Sequence, residues 1–164
     1  MRPDDEAEFV SLVESCSGRL LRAAWFMTGS AAAAEDLVQS TFEKVYVAWR
    51  RIDRAAAVAY AKRVLLNEHI DTTRKRSRER LVSEPPEIGR LDQEPSSAAY
   101  LIAALRQLTP REREVVVMRH YADMSESDVA ASLGVSVGTV KSTSSRALAR
   151  LRSVLAAEGD SHVR

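Results

Sequence analysis

The stretch from Thr139 to Arg152 holds Lys141, Arg146, Arg150 and Arg152 and no acidic residue. Read as one helix, it exposes Lys141, Ser142, Ser145 and Arg146 together. Long cations suit guanine edges or phosphates, and hydroxyls suit phosphates or bases, so this face fits a recognition helix lying in a major groove. A basic face alone describes a solvated surface equally well. Other chemistry finds little support. His69, His120 and His162 stand in unrelated contexts, with no HExxH pattern, no phosphate-binding glycine loop and no arrangement suited to a nucleophile. No catalytic site, metal site or cofactor is expected.

The elements that position this face decide the matter. Thr109, Pro110 and Glu112 form a capping box with proline at the first helical position, a strong helix start. Ser125 followed by Asp128 repeats the signal approximately, Gly134 falls where a sharp turn needs positive φ, and Ser136 caps the last helix. Ala130, Gly134 and Val140 sit where two helices cross closely, turn and bury an apolar side chain. Val129, Leu133, Val135 and Leu148 supply a small core. The spacing predicts a helix-turn-helix with a supporting helix before it.

The chain has 164 residues, with 24 basic against 23 acidic, and this near balance hides local segregation. Residues 1–53 hold nine acids and six bases, residues 62–80 seven bases and three acids, and residues 81–99 four acids and one arginine. Alternating charge blocks point to more than one kind of partner. Cys16 is the only cysteine, so no disulfide forms, and it sits in the apolar stripe Phe9, Val13, Cys16, Leu20 as a core residue. No apolar run approaches the roughly 18 residues needed to span a bilayer, and the acidic N-terminus is unlike a signal peptide. The expectation is a cytoplasmic protein without membrane insertion.

Nearly every segment reads at helical period and none alternates as a strand, so the fold class is all-α. Phe9 to Met27 predicts a first helix stopped near Gly29. Ser30 restarts the chain toward a second helix carrying Leu37, Val38, Thr41, Phe42, Val45 and Trp49. After a turn around Arg51 to Ala57, a third helix runs from about Val58 to Arg76. Pro85, Pro86, Gly89 and Pro95 then interrupt the pattern. The expected organisation is a helical lobe at 5–80, a flexible acidic, Pro-containing linker at 81–99, a winged-helix-like or helix-turn-helix lobe at 100–155, and a disordered tail at 156–164.

The residues Ala33 to Trp49 (AAEDLVQSTFEKVYVAW) and Ala59 to Arg80 (AYAKRVLLNEHIDTTRKRSRER) resemble region 2 of bacterial sigma factors. The stretch from Leu108 to Leu151 resembles region 4. Together, in this order and with only a short linker between, they resemble the extracytoplasmic-function (ECF) sigma factors of the sigma-70 family, nearest the actinobacterial SigE-like group. The resemblance implies a non-catalytic specificity subunit of RNA polymerase. Asp36, Gln39 and Glu43, one stripe at i, i+3 and i+7, match the face that docks on the β′ clamp helices. Region 4 would meet the β flap. Tyr60, Lys62, Arg63, Asn67 and Arg74 match the surface that reads and melts the −10 element, with Tyr60 where many members carry tryptophan. The loop from Arg50 to Ala57 matches the one that captures a flipped base. Thr139, Lys141, Ser142, Ser145 and Arg146 match positions facing the −35 element, with Thr143 where many members carry arginine. Partners would be core RNA polymerase, promoter DNA and, as is common in the family, an anti-sigma factor, although no residue here specifies one.

Two other classes remain to be separated from this reading. LuxR-type regulators share LTPREREV and the following helix-turn-helix, but would need a receiver or effector domain that the helical first half does not offer. An adaptor binding only protein partners would lack salt-dependent DNA binding even with polymerase present.

Overall fold

The computed structural model describes residues 2–80 and 97–162, and among them every regular element is helical. The expected linker falls mostly at 81–96, outside the described residues. Seven helices run in order: α1 (Pro3–Thr28), α2 (Ala31–Ala48), α3 (Ala57–Arg80), α4 (Ser97–Arg106), α5 (Pro110–Val116), α6 (Glu126–Leu133) and α7 (Val137–His162). The first three form one lobe and the last four the other.

Local chemistry sets most of the boundaries. Pro3 opens α1, and Asp4, Asp5 and Glu6 in its first turn favour the positive end of the helix dipole, so α1 starts earlier than Phe9. It ends at Gly29, whose φ of 70° is the left-handed stop. The Ser30 side chain accepts from Ala33 N and caps α2. Thr109 and Glu112 make the reciprocal capping box at α5, and Ser125 accepts from Asp128 N at α6. Each such cap contributes about 1 kcal/mol. Between α2 and α3, two short 3₁₀ turns, Trp49–Arg51 and Arg54–Ala56, replace a simple loop.

Three expectations are corrected. No strand follows α7 among the described residues, so the second lobe is a plain helix-turn-helix without a wing. Helix α7 continues to His162, so residues 156–162 are not a disordered tail. Beyond Leu151 the chain holds no proline, and Arg152, Leu155, Ala156, Ala157 and Glu158 are good helix formers that carry it onward. The same logic applies at Ser97–Ala99, expected in the linker, where an alanine-rich start already belongs to α4.

The two lobes pack against each other. Their apolar cores are continuous, and Phe26 of α1 meets Tyr121 of the second lobe edge-on at 5.1 Å. Helix α1 carries no basic residue in its last turn. The second lobe supplies two: Arg106 donates from Nη2 to Gly29 O at 2.8 Å, and Arg113 from Nη1 to Met27 O at 3.4 Å. Cations at a helix C-terminus satisfy carbonyls that the helix leaves open and complement its dipole. Arg113 also donates to Leu105 O at 2.9 Å and Leu108 O at 3.2 Å. Burial and the neighbouring Arg106 lower its pKa from the ordinary arginine range. His69 and Glu114, both largely buried, face each other across the same junction at 3.5 Å.

Candidate nucleic-acid interface

In the second lobe, α6, the turn at Gly134 and α7 form the helix-turn-helix. Gly134 takes φ 67°, and its N–H donates to Ala131 O while that of Val135 donates to Ala130 O at the end of α6. Val129, Ala130, Leu133, Val140 and Ala147 are buried between the helices. Ahead of them, α5 widens into a single π turn over Val117–Tyr121, where Ala122 N bonds Val117 O at 3.0 Å. Buried Val140, Thr143 and Ala147 fix the inner face of α7, and the rotation of a 3.6-residue helix turns Thr139, Lys141, Ser142, Ser145 and Arg146 outward. All five are exposed.

Several of these side chains have partners within the lobe. Ser136 Oγ accepts from Thr139 N at 3.1 Å and lies 2.9 Å from Thr139 Oγ1, while Ser142 donates to Thr139 O at 3.1 Å. Glu126, at the start of α6, stands 3.7 Å from Lys141 and 3.6 Å from Arg119, so it sets where the Lys141 ammonium rests. His120 lies on the same surface, 2.8 Å from Ser144 Oγ. No sequence signal marks Glu126 or Arg119, and nothing in the sequence ties His120 to this surface, because their places depend on how the π turn meets α7.

In the first lobe, Tyr60, Arg63, Asn67 and Arg74 fall within a narrow arc of α3, as their spacings of three, four and seven require. The Arg63 guanidinium lies over the Tyr60 ring at 5.7 Å. Lys62 is not brought to this arc. It turns toward α1, close enough to Cys16 for its charge to act on that thiol, whose pKa burial nonetheless raises.

The 3₁₀ turns before α3 and the start of α3 border an open cleft of about 420 Å³, lined by Arg51, Ile52, Asp53, Ala56, Tyr60 and Arg63 among others. The turn is held from behind: Arg54 packs over the Trp49 ring at 4.1 Å and pairs with Asp5 at 3.1 Å and Glu8 at 2.7 Å. Asp53 Oδ1 accepts from Ala55 N, which orients its carboxylate at the cleft rim. An aromatic face, two guanidinium groups and one carboxylate around such a space suit an unstacked base. These lining residues before Tyr60 carry no motif, and only the folded turn shows them together.

On α2, Asp36, Gln39 and Glu43 are exposed along one stripe, with Gln39 Nε2 donating to Glu43 Oε1 at 3.1 Å. Leu37 is buried behind them, and Val38 and Phe42 pack on the core. Beside the stripe lie Tyr46 and Val47, the latter 77% exposed, which add an apolar shoulder that the polar motif does not predict. On the other side α2 is clipped to α3: Ser40 donates to Glu68 at 2.7 Å and Lys44 pairs with the same carboxylate. No helix among the described residues is long and apolar enough to cross a membrane.

Comparison with known proteins meets this geometry. The family model for sigma-70 region 2 matches residues 12–79, and that for sigma-70, region 4 matches residues 98–151. The chain is 38% identical over 154 residues to the RNA polymerase sigma-E factor of Streptomyces coelicolor, covering 92% of this chain and 87% of that protein. It is 31% identical to the ECF RNA polymerase sigma factor SigE of Mycolicibacterium smegmatis, covering 88% of this chain and 60% of that one. Among solved structures, the sigma factor RpoE co-crystallised with the anti-sigma factor NepR from Bartonella quintana superposes with a TM-score of 0.71 at 27% identity. That match covers 94% of this chain and 98% of that one.

Proposed function

The chain belongs to the ECF group of the sigma-70 family of RNA polymerase sigma factors, and from that membership we infer how its surfaces divide the work. It directs core RNA polymerase to promoters for transcription initiation. The exposed face of α7 reads the −35 element, with Lys141 and Arg146 gripping phosphates or guanine edges and Thr139, Ser142 and Ser145 supplying hydroxyls. The arc of Tyr60, Arg63, Asn67 and Arg74 meets the −10 element as it opens. The neighbouring cleft takes an unstacked base, and Tyr60 offers it a stacking surface.

Asp36, Gln39 and Glu43 dock on the β′ clamp helices, and the second lobe meets the β flap. Held on the enzyme at a fixed separation, two weak DNA contacts act as one bivalent contact. The protein itself is non-enzymatic and cytoplasmic, with an anti-sigma factor as its natural restraint. The carrying observation is the pairing of the two matched regions in one chain, each presenting an exposed cationic helix face. The test is transcription in vitro with core polymerase and a randomised promoter library. New start sites sharing two spaced elements, absent with core enzyme alone, support the reading. Duplex binding without polymerase binding replaces it with a stand-alone regulator.

A further inference from the structure

We propose that Val137 and Gly138, in the first turn of α7, form an apolar reading step that selects a thymine in the upstream element. The proposal rests on the reading of α7 as the −35 helix and names a chemistry that the polar residues of that helix do not supply.

Gly138 is the first observation. Unlike Gly134, which needs its left-handed φ, Gly138 has an ordinary backbone. A Cβ built on it would meet only Ser136 Oγ, at a comfortable 3.8 Å. A glycine inside a helix gives up stability relative to alanine. Among the described residues nothing else comes within 4 Å of that position, so the exposed turn leaves room for a ligand to approach the backbone. Close approach of a ligand to the backbone is a recurrent reason for such a glycine.

Val137 is the second. It is 39% exposed at the start of a helix whose N-terminal residues are those that reach base edges in a helix-turn-helix. It stands one turn before Lys141 and next to Ser136, whose hydroxyl is already engaged with Thr139. A valine offers only methyl groups. The major groove presents one apolar group for them to meet, the 5-methyl of thymine. With no side chain at Gly138 to hold the groove away, the Val137 methyls come within van der Waals reach of it.

The test uses the full chain on core RNA polymerase and a promoter drawn from the library above, with each upstream thymine replaced singly by deoxyuridine. One replacement should lower initiation by about fourfold, the worth of one buried methyl-sized group. Val137→Ala should lose a similar factor and respond no further to that replacement. Gly138→Ala should lower initiation by about tenfold, the scale of a lost base contact, while its melting temperature does not fall. If deoxyuridine equals thymine at every position, or Gly138→Ala keeps full activity, the proposal is wrong although the −35 reading stands. If scrambling the whole upstream element leaves initiation unchanged, the −35 reading fails and the proposal with it.

Discussion

Arg63 of α3 and Asp128 of α6 stand 3.6 Å apart, so a cation on the arc proposed to meet the −10 element is held by the helix-turn-helix of the other lobe. Both side chains keep partial contact with water, and the pair contributes well under ~1 kcal/mol. It therefore competes with DNA rather than preventing it. Asp128→Asn should release Arg63 and raise the affinity of the free chain for a single-stranded oligonucleotide by about twofold to fivefold. The cap at α6 uses the backbone N–H of residue 128 and is unaffected. Fluorescence anisotropy at low salt checks this, and the difference should fade above about 0.5 M salt as screening sets in. Equal affinities at low salt would mean that Arg63 does not meet the strand.

The arginine pair at the end of α1 makes a different prediction. Arg113 makes more bonds than Arg106, donating to three carbonyls that include Met27 O of the opposite lobe. Arg113→Ala should cost about 2–4 kcal/mol in urea unfolding, because buried acceptors lose their donor. Arg106→Ala, which loses one bond to Gly29 O, should cost about 1 kcal/mol. Its main effect should be a longer lobe-to-lobe distance by fluorescence transfer between labels on α2 and α7. An unchanged distance would show that the shared apolar core alone holds the lobes.

What the sequence disclosed follows the range of the interactions. Caps act within one turn, so Thr109, Ser125, Ser136, Ser30 and the stops at Gly29 and Gly134 were all legible as residue types at fixed spacing. Burial of Leu37, Val45, Val129 and Val140 followed from helical period. The junction of the lobes was not legible, because Arg106, Arg113, His69 and Glu114 find partners many residues away, and nothing local marks them. The family resemblance pointed to the loop beside Tyr60, but the shape of its cleft was hidden for the same reason, since two 3₁₀ turns braced by Arg54 create it. Lys62 lies close in sequence to the arc shared by Tyr60, Arg63, Asn67 and Arg74, yet two residues along a helix rotate a side chain by about 200°.

The clip between α2 and α3 should give a measurable pH dependence. Burial pushes the Glu68 carboxyl up, but hydrogen bonds from Lys44 and Ser40 outweigh it and hold the pKa below the usual carboxylate range. The bond to Glu68 raises the pKa of Lys44. A depressed carboxylate contributes stability above its unfolded pKa of about 4.3 and loses it as pH falls through the lower folded value. A raised lysine contributes below about 10.4 and loses it as pH rises through the folded value. The clip is thus intact across neutral pH and fails at both extremes. Glu68→Gln should lower stability at pH 7 by about 0.5–1 kcal/mol, since Lys44 is largely solvated. It should also flatten the fall in stability below about pH 4. Parallel acid titrations of the two proteins would contradict the clip.

The division of labour between the lobes gives the last prediction. Arg146 is exposed on α7, and its Nη2 reaches Thr143 Oγ1 at the 3.5 Å edge of hydrogen bonding. Its removal therefore takes little from the fold. Arg146→Ala should reduce promoter-specific initiation by about fivefold or more, the range for a lost base or phosphate contact, and leave binding to core polymerase unchanged. The double reversal Asp36→Lys with Glu43→Lys should do the opposite first, weakening core binding before any effect on duplex DNA is seen. Both carboxylates are exposed, and their reversal turns an acidic stripe basic while Leu37 and Val45 keep the helix packed. Co-purification with core enzyme and initiation from preformed holoenzyme separate the two effects. If Arg146→Ala loses core binding as strongly as initiation, α7 faces the polymerase rather than the promoter and the two lobes do not divide the work.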